Sequence, residues 1–589
     1  MAPRNTLSFT IIHCILQSTL TEHIMKVYTP YITAMATLLP HVLSTPLSTR
    51  DNSEMAFGFS ELTASPSLAW TPCYQNFTCA LLEVPRDYAN ESAGTLNIAI
   101  IKKPGATPDA PEVLVNPGGP GGSSVAMVLQ SHASIEAKIG SEYSLVGIDP
   151  RGINNSEPSS DCFPGYPTQT RNFILQDVIS AADITNELVL RTQHQSILAY
   201  GKWCSEMYAV NWTAKYASTV ATAQDMLHYI QLRAKDTGKS PDEAKLWYYG
   251  VSYGSILGPT FASLYPDRVG RMIIDGVLEL EDYYNGGWES AIDETDKAAE
   301  YFFRHCFEAG PALCQFHQNA TSWQEIEQRY LAVVDSLKDE PIGVAEPFPD
   351  PSSPAYVPGK LPPTPSVFKW TDLVSQMFGS LYYLGPTFVL STDYALVALQ
   401  NRDDALLSAI SVKSQISSYF PGFDERQGRH LVVCLDSYGR SNYTKFDDYK
   451  AFVDSMYNRS NYGGLSVAAL SGPVCSQMNV QPPESQRFDG VPRVNGTHTP
   501  ILFVSSVADP VTPLSSARKM HGLFPGSGLL VFNNSGHGAH FQASKCVSQY
   551  EAEYMRSGAL PPADTLCKVD EPNPWIIASK LLNLTQSSA

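Results

Sequence analysis

Lys245–Ser255, KLWYYGVSYGS, is the stretch that decides the fold. Lys245 to Tyr249 reads as a strand, and helical spacing resumes through Phe261, Leu264 and Tyr265. Between them Gly250-Val251-Ser252-Tyr253-Gly254 sets a serine between two small residues. Such glycines permit a sharp, strained strand-to-helix turn that lifts the hydroxyl into a pocket, the geometry of a nucleophile elbow. The five residues alone would also fit an incidental turn. The strand before them and the helix after them favour the elbow.

Working outward, Leu96–Ile101 (LNIAII), Glu112–Val115 (EVLV), Tyr143–Ile148 (YSLVGI) and Arg271–Ile274 (RMII) read as further short strands. Thr219–Ala234 has helical periodicity through Ala223, Met226, Leu227, Ile230 and Leu232. Strands alternating with helices imply a mostly parallel sheet covered on both faces. From 281 to 490 the pattern turns helix-rich, with amphipathic stretches near 294–308, 322–338 and 384–410. A proline-rich run at 341–365 reads as an extended surface loop. Pro500–Val504 (PILFV) and Gly528–Phe532 (GLLVF) then restore the strand rhythm. The expected architecture is α/β, a doubly wound sheet whose core spans 46–280 and 491–589, with a helical lid at 281–490 inserted between its strands.

A serine needs a base to become nucleophilic, and the base needs an orienting carboxylate. Downstream, Asp509 follows the 500–504 strand within ADPVTP, and His537 sits in Gly536-His537-Gly538 after the next strand. Both fall past the C-terminal ends of strands, where open α/β sheets build their sites. Asp275 is a rival acid and His540 a rival base, and Asp509 also fits a helix cap near Pro513. Asn116–Gly122 (NPGGPGG) follows the EVLV strand, where its glycines let backbone N–H groups approach a developing oxyanion. Gly118 or Gly119 would there join Tyr253, whose N–H follows the nucleophile. The competing phosphate-loop reading fails on the missing Lys-Ser/Thr ending and on prolines where donors would be needed.

The chain has 589 residues, with 40 Lys and Arg against 58 Asp and Glu, for a net charge of −18. That balance argues against nucleic acid as a partner. Ten of the 11 cysteines fall into neighbouring couples: Cys73/Cys79, Cys162/Cys204, Cys306/Cys314, Cys434/Cys475 and Cys546/Cys567. None has metal-site spacing, so no metal is expected and sequential disulfides are the simplest scheme. Cys14 lies in a stretch read as an apolar leader over residues 1–45, with Met25 an alternative start. No segment is long and apolar enough to be expected to span a membrane. Sequons at Asn76, Asn90, Asn154, Asn211, Asn319, Asn442, Asn458, Asn495, Asn533 and Asn583 fit a secreted glycoprotein.

Together these pieces resemble a known family. CALLEVPRDY (79–88), NPGGPGGS (116–123), DPRGINNS (149–156), YYGVSYGS (248–255), RMIIDGV (271–277), ADPVTP (508–513) and GHG (536–538) occur in the order of the α/β-hydrolase peptidases related to proline iminopeptidase. The match is to the secreted tripeptidyl-aminopeptidase-like branch. The resemblance implies Ser252 as nucleophile, Asp509 as acid, His537 as base, no cofactor, and a peptide or small ester as substrate. Pro117 stands where proline iminopeptidases carry a histidine, and Asn155 replaces the second glycine of the family's DxRGxGxS pattern. Aminopeptidases usually hold the substrate ammonium with carboxylates, and Glu279, Glu281 and Asp282 are candidates at the mouth of the lid, although a solvated acidic loop is the simpler reading of them. The same residues suit an ester or lactone hydrolase. A serine carboxypeptidase is less well matched, because Val251 stands where that family has glutamate. A non-enzymatic adhesion protein would not be expected to keep all three triad residues.

Overall fold

The structure, a computed structural model, describes residues 55–166, 181–210, 212–345, 365–403, 407, 424–470, 472–489 and 500–587. The leader, most of the proline-rich run, Asn211 and Asn495 lie outside the described residues, as does the side chain of Asn583.

Ten strands form one sheet: β1 (Thr71–Cys73), β2 (Phe77–Pro85), β3 (Thr95–Lys103), β4 (Glu112–Asn116), β5 (Ser144–Ile148), β6 (Leu246–Val251), β7 (Val269–Asp275), β10 (Leu502–Ala508), β11 (Gly528–Ser535) and β12 (Leu566–Lys568). Their order across the sheet is β1-β2-β3-β5-β4-β6-β7-β10-β11-β12. The first four neighbours pair antiparallel; from β5 onward every pairing is parallel. A two-stranded ribbon, β8 (Ile342–Val344) with β9 (Ser366–Phe368), stands apart. This is the α/β-hydrolase arrangement.

Strand β6 shows why both faces must be covered. Leu246 and Tyr248 enter one core cluster, while Tyr249 and Val251 enter the other, as the two-residue period of a strand requires. The first face is covered by helices α3 (Thr219–Asp236), α4 (Gly254–Leu264) and α13 (Leu514–Leu523). The second is covered by α1 (Ser124–Ile139) and α14 (Lys545–Ser557). Ser123 caps α1 by accepting from the Ala126 N–H at 3.0 Å, and Ser218 caps α3 by accepting from Ala221 at 3.2 Å.

Between β7 and β10 the chain runs through α5 (Leu280–Asn285), α6 (Thr295–Ala309), α7 (Trp323–Asp339), α8 (Trp370–Tyr383), α9 (Pro386–Asn401), α10 (Glu425–Ser437), α11 (Phe446–Arg459) and α12 (Gly464–Leu470). These helices build their own apolar cluster around Phe302, Phe303, Leu373, Met377 and Met456. Two distant segments join it. Helix α2 (Glu187–Ala209) contributes Leu190, and α15 (Pro574–Ser587) contributes Trp575, whose ring meets Phe302 at 5.1 Å.

The five disulfides pair sequentially, Cys73–Cys79, Cys162–Cys204, Cys306–Cys314, Cys434–Cys475 and Cys546–Cys567. No helix among the described residues is long and apolar enough to cross a membrane.

Candidate active site

The elbow is built by close approach. Ser252 closes β6 at φ +57°, a left-handed conformation that costs a non-glycine residue energy, and its N–H donates to the Asp275 carbonyl at 2.9 Å. A Cβ at Gly118, where φ is +98°, would lie 2.6 Å from the Ser252 Cβ and 2.5 Å from the Val251 carbonyl oxygen. Only glycine allows the β4 loop to come that near.

That loop is braced from behind. Asp149 accepts from the Ser123 hydroxyl at 2.6 Å and the Val125 N–H at 3.0 Å, and also from the Asn155 side chain at 3.1 Å. Asn155, which departs from the family pattern, thus supplies a donor to the carboxylate that anchors the start of α1. Arg151, fully buried, forks onto Asp225 with two bonds of 2.7 Å and donates to the carbonyls of Pro85 and Arg86.

Asp509 and His537 form a buried pair, with His537 Nδ1 3.2 Å from each carboxylate oxygen. Asp509 is fixed independently, accepting from the N–H groups of Val511 (3.0 Å), Thr512 (2.8 Å) and Gly538 (2.7 Å). The Thr512 hydroxyl lies 3.0 Å from the same ring nitrogen. With Nδ1 turned to the carboxylate, the other nitrogen is left to act as base. His537 Nε2 is buried and makes no hydrogen bond to a described residue.

Tyr382, in the last turn of α8, lines the cavity with Ser252. Burial raises its phenol well above its ordinary value, while the Arg429 charge works the other way. The rivals form a second pair: His540 Nδ1 lies 3.3 Å from Asp275 Oδ2, at an angle that makes no hydrogen bond. Burial lowers the His540 pKa. Burial works upward on Asp275, but His540 and the Ala539 N–H hold it below its ordinary value.

Of the two glycines expected near the oxyanion, Gly118 donates its N–H to Asn116 Oδ1 at 3.0 Å. The N–H groups of Gly119 and Tyr253 donate to no described residue, and Gly119 lines the cavity with Ser252. Tyr253 is held by its own hydroxyl, 2.5 Å from Thr219 Oγ1; Thr219 in turn donates to Asp436 of α10 at 2.5 Å, and the Tyr283 hydroxyl reaches the same carboxylate at 2.8 Å.

Glu279, Glu281 and Asp282 are not brought to the cavity. The first two pair with Lys519, and Asp282 accepts from the Ser290 N–H and hydroxyl at 2.7 and 2.6 Å. Helix α5 starts at Leu280, and it directs these carboxylates to neighbours that satisfy them. The cavity wall beside Ser252 is instead apolar, with Leu278, Trp288, Phe378, Val433 and Val511, interrupted by Tyr382, Arg429 and His430. Among the described residues no group of His, Cys, Asp and Glu is arranged to hold a metal ion.

Sequence reading missed Tyr382, Thr512, Arg429 and Asp436. Thr512 lies three residues past Asp509 within the quoted ADPVTP motif, where the spacing itself is the signal. The other three lie on helices inserted between β7 and β10.

Residues 464–567 match the family described as TAP-like protein. Serine protease Hip1 of Mycobacterium tuberculosis is 25% identical over 514 residues, 85% of this chain and 90% of the relative. Tripeptidyl aminopeptidase of Streptomyces coelicolor is 24% identical over 525 residues, 86% of each. Carboxylesterase B of M. tuberculosis is 25% identical over 536 residues, 85% of this chain and 90% of the relative. The sheet has the α/β-hydrolase topology, and these likenesses support a serine hydrolase whose residues 464–567 are similar to TAP-like proteins.

Proposed function

We propose that the protein is an exported serine peptidase that releases short N-terminal pieces from peptides through an acyl-enzyme on Ser252. The observation that carries this reading is the buried Asp509–His537 pair beside a strained serine with two unoccupied backbone donors. His537 Nε2 would take the Ser252 proton as the hydroxyl attacks the carbonyl carbon, with Asp509 stabilising the imidazolium. The N–H groups of Gly119 and Tyr253 would receive the oxyanion. His537 would then protonate the leaving amine, and water would release the acyl group by the same route in reverse.

Relatives named as a serine protease and a tripeptidyl aminopeptidase support peptides as the substrate. In an extended tripeptidyl group the ammonium lies about 10 Å from the reacting carbonyl, at roughly 3.3–3.6 Å per residue. An apolar wall at Ser252 is compatible with that distance. We further propose 281–490 as a lid over the site. Export is supported by the five disulfides and by exposed sequon asparagines at 76, 90, 319, 442 and 458.

The test is a panel of free-amine and N-blocked tripeptidyl anilides beside p-nitrophenyl esters. Turnover confined to free-amine peptides is expected, together with fluorophosphonate labelling of Ser252 that disappears in Ser252→Ala. Equal turnover of blocked and free peptides overturns the N-terminal reading; a label on another serine overturns the triad. A second reading, ester hydrolysis, is favoured by the apolar cavity wall and by the relative named carboxylesterase B, and activity on esters alone would establish it.

A further inference from the structure

The cavity beside Ser252 holds a charge that the proposed peptide chemistry leaves unused. Arg429, four residues into α10, reaches the cavity wall between His430 and the apolar side chains. Its Nε is buried without a hydrogen-bond partner, and its side chain makes no ion pair with any described residue. Glu425, one turn earlier on the helix, is near enough to feel the charge yet forms no ion pair with it. Asp424, the next carboxylate along, is occupied by Arg426 at 3.0 Å. Glu279 and Glu281, the acidic candidates expected at the cavity, are tied to Lys519.

A guanidinium held against an apolar wall with an unsatisfied N–H carries a desolvation cost that a bound anion would offset. Its planar fork fits a carboxylate with two parallel bonds. Arg429, Tyr382 and Ser252 line one cavity, so the guanidinium and the serine face the same space. The chain as a whole carries −18, so this local cation is not part of a general basic surface.

We propose that Arg429 is a specificity-determining residue that receives a carboxylate of the substrate, making substrates with a negative charge near the scissile bond preferred over those carrying an amide or ammonium there. The proposal deepens the serine-peptidase reading and rests on it. The carboxylate has two chemical sources: an acidic side chain on the acyl side, or the free C-terminus of a short leaving peptide.

Full-length protein would be offered matched fluorogenic peptides with Glu, Gln or Lys at the residue bearing the scissile carbonyl. A second set would carry free or amidated C-termini one or two residues beyond the cleaved bond. The expected result is a preference of about tenfold or more in kcat/KM for the anionic member of at least one set, expressed mainly in KM. Preference in the first set places the carboxylate on the acyl side, preference in the second on the leaving side. Arg429→Gln should erase the preference, Arg429→Lys should retain part of it, and Arg429→Glu should shift it toward lysine. Fluorophosphonate labelling of Ser252 is followed in every variant. Intact labelling with no charge discrimination in the parent, or a preference surviving Arg429→Gln, overturns the role of Arg429 alone. Loss of Ser252 labelling in the parent overturns the serine-peptidase reading and this inference with it.

Discussion

An inserted helix meets the candidate base: the His537 N–H donates to the Tyr382 carbonyl at 2.9 Å, and the two rings meet with centroids 4.4 Å apart. Tyr382 lies in the last turn of α8 and His537 follows β11, so a helix inserted between β7 and β10 meets a sheet strand at this imidazole. The same tyrosine lines the cavity with Ser252.

Tyr382→Phe keeps the ring and the carbonyl that holds His537 and removes only a phenol oxygen on the cavity wall it shares with Ser252. With the His537 contacts preserved, fluorophosphonate labelling of Ser252 is expected to stay within about threefold of the parent. Stopped-flow labelling rates check this. A loss of about tenfold or more would show that the phenol assists the reaction of the serine.

Arg151 illustrates what sequence makes visible and what it hides. DPRG marks the position, but the partner Asp225 lies 74 residues on, within the helical run 219–234. Asp225 is buried on that helix, and no spacing in the sequence pairs it with Arg151. Arg151→Ala leaves its carboxylate uncompensated in the core, a change that costs on the order of 3–5 kcal/mol. A urea titration of the variant against the parent measures it, and a loss below about 1 kcal/mol would mean the carboxylate finds another partner or protonates freely.

Ser252, Asp509 and His537 were legible as candidates because each follows a strand whose apolar run is itself readable, and the structure pairs the last two. Gly118 and Gly119 could not be separated by sequence, since the difference is whether the Asn116 side chain occupies the N–H. Asp436 was hidden for another reason: its contact with Thr219 spans 217 residues, and no local pattern records which inserted helix comes to rest on α3. The acidic residues at 279–282 were visible as charge, but their direction was set by Lys519 and Ser290.

Burial raises Glu551 to about 7 and Asp436 and Asp393 to about 6. An acid whose folded pKa is raised binds its proton more tightly in the folded state. Its contribution is thus greatest below the ordinary carboxylate value and is lost as pH climbs through the folded pKa. Glu551 has neither oxygen hydrogen-bonded, so it is the cleanest probe. Glu551→Gln should melt close to the parent near pH 4.5 and progressively above it by pH 8, as read by calorimetry at several pH values. A difference that stays flat with pH would show that Glu551 does not titrate between those limits.

Asp509 accepts three backbone N–H groups besides facing His537, so both of its oxygens are committed. Asp509→Asn keeps the size but turns an NH2 toward donors on one side of the loop. If the amide oxygen keeps Val511 and Thr512, the NH2 faces Gly538 and His537, and the imidazole must present Nδ1 as an acceptor. Nε2 then carries the proton and cannot take one from Ser252. A kcat loss of about 10³-fold or more is expected, with KM little changed, because the substrate does not touch this carboxylate. Labelling of Ser252 should fall in parallel, while circular dichroism stays that of the parent. Retained turnover would transfer the orienting role to the neighbouring Asp275–His540 pair, and the double variant Asp275→Asn, Asp509→Asn would then be the one to lose it.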